Sequence, residues 1–168
     1  SDGSTTFTDS SQSGRTITVV GDAQHDTAQK KFGASSIVFD GTLDELTVPD
    51  STDWYFGGGK AFTIDFWIYT STGARGLMPH NTSAPASNWD MYVATGGQIY
   101  FTSYNGPSLL GSTAINNGAW HHVAIVWSVN NWNLYIDGTS DASNTDSSWG
   151  ADVATTLRIG KAQASGSN

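Results

Sequence analysis

Short runs that alternate apolar and polar residues, each closed by Gly, Pro, Asn or Asp, leave this chain little choice of architecture. Successive side chains on a strand point to opposite faces, so a period of two marks a half-buried β-strand. In the run 62–69, Phe62, Ile64, Phe66 and Ile68 share one face, and Thr63, Asp65, Trp67 and Tyr69 share the other. The run 133–137 repeats the pattern and stops at Gly138. The run 98–102 follows Gly96-Gly97, a hairpin signal, with 91–94 as its partner strand. Further strands are expected at 16–20, 36–40, 45–48, 122–129 and 156–159, with a weaker one at 108–112. The stretch 122–129 is almost continuously apolar and reads as a central strand covered on both faces. No window of a dozen residues carries a helical stripe. The expected fold is all-β, a two-sheet antiparallel jelly-roll sandwich. The shared phase of alternation places Ile37, Phe39, Phe62, Ile64, Phe66, Ile99, Phe101, Leu134, Ile136, Leu157 and Ile159 in its core.

Composition bounds what such a sandwich does. At 168 residues the chain fits one domain, and only 13% of it is charged, so the solvated faces are built from Ser, Thr, Asn and Gly. With no cysteine, disulfides and thiolate zinc sites are excluded. A net charge of −8 argues against nucleic-acid and anionic-lipid partners, and no run approaches the roughly 20 apolar residues of a membrane span. The long polar loops 72–88 and 139–152 are expected at the sandwich rim, where binding residues commonly sit.

Several segments in order resemble the laminin-G-like family, related to the pentraxins, within the concanavalin A-like lectin/glucanase superfamily. They are 31–41 (KFGASSIVFDG), 46–51 (LTVPDS), 62–68 (FTIDFWI), 118–124 (GAWHHVA), 134–138 (LYIDG) and 157–160 (LRIG). The resemblance implies one jelly-roll domain over 1–168. It is similar in style to copies in bacteriophage structural proteins and bacterial surface proteins, which implies a virion, extracellular or cell-surface location. It also implies an apolar strand before Asp2 and a closing strand after the last glycines, paired with each other. The chain is therefore expected to lack its outermost terminal strands and to belong to an oligomer or a longer polypeptide.

Candidate chemistry is sparse. His121 and His122 are adjacent on a strand, point to opposite faces and cannot grip one ion together, so they read as structural. Asp65 has Thr63 and Trp67 where a glycosidase strand needs a second acid, and Asp44 and Glu45 diverge. No enzyme is expected. Calcium, the one cofactor in view, takes hard oxygen ligands from rim loops. By resemblance to pentraxin-like sites its ligands would be Asn88, Asp90 and Gln163, although the second loop lacks the acids that family uses. Trp67, Tyr69, Tyr92, Tyr100 and Tyr135 lie out of phase with the aliphatic faces, and Trp89, Trp132, Trp149 and Tyr104 lie in or near loops. The last four are the expected ligand-facing rings, since exposed rings stack on sugars or proteins. The expected function is a non-catalytic binding or adhesion module for carbohydrate. The alternative is a structural virion module that packs on neighbouring proteins. A glycoside hydrolase is the third reading.

Overall fold

A computed structural model describes residues 1–57, 59–81, 87–128 and 130–161, the side chains of 87 and 88 excepted. It is all-β, with a single 3₁₀ turn among the described residues, at Thr52–Trp54. The strands are β1 (Thr18–Val20), β2 (Gln24–Asp26), β3 (Ser36–Val38), β4 (Glu45–Val48), β5 (Phe62–Thr70), β6 (Arg75–Gly76) and β7 (His80–Asn81). They continue with β8 (Ser87–Val93), β9 (Gln98–Ser103), β10 (Ser108–Ala114), β11 (Ala119–Ser128), β12 (Asn131–Ile136), β13 (Thr139–Asn144) and β14 (Leu157–Ile159). All the pairings are antiparallel.

Two layers result. One is the four-stranded sheet β13-β12-β11-β5. The other combines β10-β9-β8 with the broken strand β6/β7, and then β14-β4-β1. These two parts are stitched together by backbone bonds from Arg158 N–H to the Pro79 carbonyl (3.1 Å) and from Gly160 N–H to the Leu77 carbonyl (2.8 Å). Seven strands therefore face four, and the hairpin β2–β3 stands as a separate pair. At the opposite rim the layers are clamped by Asp141 of β13, whose carboxylate accepts from the backbone N–H groups and hydroxyls of Ser112 and Thr113 on β10.

The core follows from the alternation. Trp89, Met91 and Val93 of β8, and Ile99 and Phe101 of β9, meet Val123, Ile125 and Trp127 of β11 and Trp132, Leu134 and Ile136 of β12, all buried. Burying one such side chain is worth about 1.5–3 kcal/mol. Ile99, Phe101, Leu134, Ile136 and Leu157 are buried as expected. Ile37 is not: it is 40% exposed, on a strand that among the described residues pairs only with β2, outside the two main layers. Phe39, Phe62, Ile64, Phe66 and Ile159 are only half-buried, and Phe62, Ile64 and Phe66 lie on β5, the end strand of its sheet among the described residues.

Turn chemistry sets the registers. Asp137 and Gly138 both adopt positive φ (51° and 79°), the two-residue hairpin geometry that matches strand twist, and they join β12 to β13. The loop expected over 139–152 thus begins with a six-residue strand. Its sequence, TSDASN, has no apolar alternation, because β13 is a solvated edge held by its turn and by Asp141.

Candidate functional site

The outer face of the four-stranded sheet carries the most exposed cluster of rings. Strand β5 projects Asp65, Trp67 and Tyr69 outward, and the β11 register sets Ala124, His122 and Trp120 opposite them. Tyr135 of β12 lies opposite Ala124 and extends the row. Trp67 is 36% exposed and Tyr69 41%. Their Cα atoms are about 6.6 Å apart along the strand, from its rise per residue. Trp67 lies 5.2 Å from the His122 ring, and Tyr69 lies 5.7 Å from Trp120. His122 Nε2 is 3.3 Å from Asp65 Oδ2, so a carboxylate and an imidazole border the rings. The loop before β3 adds Phe32, edge-on to Trp67 at 5.4 Å, and the Lys31 ammonium, 4.3 Å from the centre of the Trp67 ring. The arrangement provides apolar ring faces for stacking beside groups that donate and accept hydrogen bonds. Trp67, Tyr69 and Tyr135 were legible from strand phase alone. His122, Trp120, Lys31 and Phe32 needed the β5–β11 register and the fold of the preceding loop.

Asp90 lies on the outer face of the other sheet, opposite Thr102 and next to the edge-to-face pair Tyr92 and Tyr100 (5.0 Å). It is only 9% exposed. Its Oδ2 accepts from the Asn81 amide at 3.2 Å, while Oδ1 is buried without a hydrogen-bond partner among the described residues. Burial pushes its pKa up to about 6, against the weaker pull of the Met91 backbone and the Asn81 amide. Of the other residues expected with it, the Asn88 side chain and Gln163 lie outside the described residues. An orphaned carboxylate oxygen beside an amide suits calcium by donor type.

A second acidic group arises from separate loops. Carboxylate oxygens of Asp22, Asp40 and Asp44 lie within 4.8 Å of one another. Both oxygens of Asp44 accept backbone N–H groups, from Asp22 at 2.8 Å and Asp40 at 2.9 Å. The carboxylate thereby pins the turn after β1 to the turn after β3. Gly21, at φ +74°, lets the chain pass close: a Cβ there would sit 2.3 Å from Asp44 Oδ1. Burial opposes ionisation of Asp44, but the amides of Asp40 and Asp22 outweigh it and hold its pKa below the ordinary value. Asp22 is raised, first by its hydrogen bond to Asp44 and then by the charge of Asp44. Nothing in sequence spacing linked these three, since they meet only when two turns fold together.

The histidine pair is structural in geometry. His121 Nδ1 meets Asp137 Oδ2 at 2.7 Å, and the His122 backbone N–H donates to Asp137 Oδ1 at 2.8 Å, bracing the β12–β13 turn.

The ligand-facing tryptophans need correction. Trp89 and Trp132 are each 1% exposed and belong to the core, because the strands β8 and β12 begin before them and turn both rings inward. Their indole N–H groups donate to the Trp54 and Asp146 carbonyls, both at 2.9 Å. Trp149 is half-buried and stacks on Trp132 at 5.3 Å with an interplanar angle of 7°. Tyr104 alone of the four keeps a substantially exposed ring.

A family model described as the concanavalin A-like lectin/glucanases superfamily, laminin-G type, matches residues 39–168. The chain belongs to this superfamily. A curated relative, the sushi, von Willebrand factor type A, EGF and pentraxin domain-containing protein 1 of Rattus norvegicus, is 28% identical over 93 residues, 54% of this chain and 3% of that protein. This concanavalin A-like domain thus corresponds to a small part of that relative. Among solved structures, it is similar to the binding domain of Paraclostridial Mosquitocidal Protein 1 (TM-score 0.69, 16% identity, 90% of this chain and 41% of that one). It is also similar to domain 4 of AbnA, an extracellular GH43 arabinanase of Geobacillus stearothermophilus, solved with arabinotriose (TM-score 0.59, 19% identity, 88% and 73%). At these identities the likeness shows the shared fold.

Proposed function

We propose that this concanavalin A-like domain is a non-catalytic glycan-binding module and that the outer face of β5 is its binding surface. The observation that carries the reading is the exposed row Trp67–Tyr69 bordered by Asp65 and His122. Pyranose faces stack on such rings while their hydroxyls bond to the carboxylate and imidazole. Binding is favoured over hydrolysis because Asp65 has no acid beside it on its strand, and the oxygens of Asp44 are occupied by backbone amides. A relative of the same fold, solved with arabinotriose, supports a sugar as the ligand. A surface location, on a virion or a cell, belongs to the same proposal. A structural module that packs on neighbouring proteins is the second reading, and the edge position of β5, which pairs only with β11 among the described residues, favours it.

A glycan array followed by titration calorimetry tests the first reading. Tyr69→Ala is expected to weaken binding about tenfold, since ring stacking is worth about 0.5–1.5 kcal/mol. It should leave the melting temperature nearly unchanged, because Tyr69 is outside the core. A wild-type domain that binds no glycan would remove the proposal.

Asp90 is our proposed calcium ligand. Calorimetry with calcium chloride is expected to show binding heat for the wild type and none for Asp90→Ala. An absence of heat from the wild type rejects it.

A further inference from the structure

Two rings make a corner on the outer face of β5. Phe32 stands edge-on to Trp67, with centroids 5.4 Å apart and an interplanar angle of 83°. Phe32 is 66% exposed and Trp67 36%, so the corner opens to solvent. The Lys31 ammonium sits in it, 4.3 Å from the centre of the Trp67 ring and 5.8 Å from that of Phe32. The negative faces of aromatic rings attract a cation in this position. Among the described residues Lys31 forms no ion pair, although the chain carries 15 acids against 7 Lys and Arg.

Asp65 lies on the same face of β5, two residues before Trp67 and about 6.6 Å from it along the strand. Its side chain is 62% exposed. His122 Nε2 engages Oδ2 at 3.3 Å, and Oδ1 accepts no hydrogen bond among the described residues. A carboxylate therefore stands open beside a ring corner that already holds an ammonium. Three groups there can carry positive charge. Lys30 Nζ is turned to the Thr27 carbonyl at 2.8 Å, and His122 already faces Asp65. Lys31 is held by an exposed cation–ring contact, which a ligand ammonium displaces at a cost of about two- to fivefold in affinity. At longer range the net charge of −8 draws cations and repels anions.

Resting on the glycan reading above, we propose that this face selects a cationic glycan, one built of amino sugars with free amines. The sugar ring stacks on the aromatic row, and its ammonium takes the place of Lys31 at Trp67 and pairs with Asp65. Lys31 is then a built-in competitor for the site. A neutral glycan gains the stacking alone, and an acidic one meets the Asp65 carboxylate.

Titration calorimetry tests this with chitosan oligomers, whose amines are free, and chitin oligomers of the same length, whose amines are acetylated. Oligogalacturonate is the acidic probe. All are measured slightly below neutral pH, where the free amines are protonated. The chitosan oligomer is expected to bind roughly tenfold more tightly than the chitin oligomer, from one exposed ion pair and one cation–ring contact. The difference should shrink as salt is raised, because screening acts on charge and not on stacking. Asp65→Asn should cut the preference to about threefold or less, and Lys31→Ala should widen it. Both side chains are exposed, so melting curves should confirm that the variants fold. Equal affinity for the two oligomers would overturn the proposal and leave the glycan reading standing. So would a preference that Asp65→Asn leaves intact or that Lys31→Ala fails to widen. Oligogalacturonate bound more tightly than either, and weakened by Lys31→Ala, would overturn it in the opposite direction and make Lys31 a hook for anions. A glycan array with no ligand at all removes the glycan reading, and this proposal with it.

Discussion

Trp132→Ala is expected to remove about 3–5 kcal/mol of folding stability, the range for emptying an aromatic core site. The indole is 1% exposed. It packs against Trp127 at 4.8 Å, Trp149 at 5.3 Å, Phe101 at 5.4 Å and Phe62 at 5.4 Å. Truncation therefore leaves a void at the meeting point of both sheets, and the loss includes the packing of each neighbour. It also strands the Asp146 carbonyl, which accepts the indole N–H. Total stability for a domain of this kind is about 5–15 kcal/mol, so a single replacement removes a large share of it. Urea unfolding checks the value, with Trp132→Phe as the milder comparison that keeps most of the ring. If Trp132→Ala instead kept its stability and lost glycan binding, Trp132 would be a contact residue and the core described above would be wrong.

Asp90→Asn is expected to stabilise the domain at neutral pH, by up to about 3 kcal/mol from the interval between pKa values of 3.8 and about 6. The folded pKa lies above the unfolded one, so the folded state holds this proton more tightly. The associated stability is fully present below about pH 4 and is lost as pH rises to about 6. Above that, the wild type keeps a buried carboxylate with one oxygen unpaired. Asparagine is neutral throughout and can still accept from Asn81. Urea unfolding between pH 4 and 8, in the presence of a chelator, should show the wild type losing stability relative to Asp90→Asn as pH rises through that window. Parallel curves would mean that Asp90 titrates normally. Asp137 acts in the opposite direction. The backbone N–H of His122, then the His121 ring, hold its pKa below the ordinary value, so its contribution is lost only in acid. A buried, partly unpaired carboxylate costs stability at neutral pH. Such a cost is what a binding group imposes on a fold, which connects this prediction to the proposed calcium ligand.

Strand periodicity alone was enough for the class of fold and most of its elements. Runs such as 62–69 and 98–102 alternate because one face is buried and the other is wet, and that asymmetry is written residue by residue. The Gly96-Gly97 turn was legible for a similar local reason, since positive φ at Gly97 demands glycine there. The strands that escaped notice, β2, β6, β7 and β13, are short or polar and exist because neighbours supply their hydrogen bonds. Of the functional groups, the sequence by itself determined which rings of β5 face outward, because phase is local. Only the tertiary structure decided that Trp89 and Trp132 are core, that Asp90 is buried, and that Lys31 and His122 join Trp67. Each of these depends on which strand lies beside or above which. Register and layering depend on contacts between residues far apart in the chain, and no local pattern encodes them.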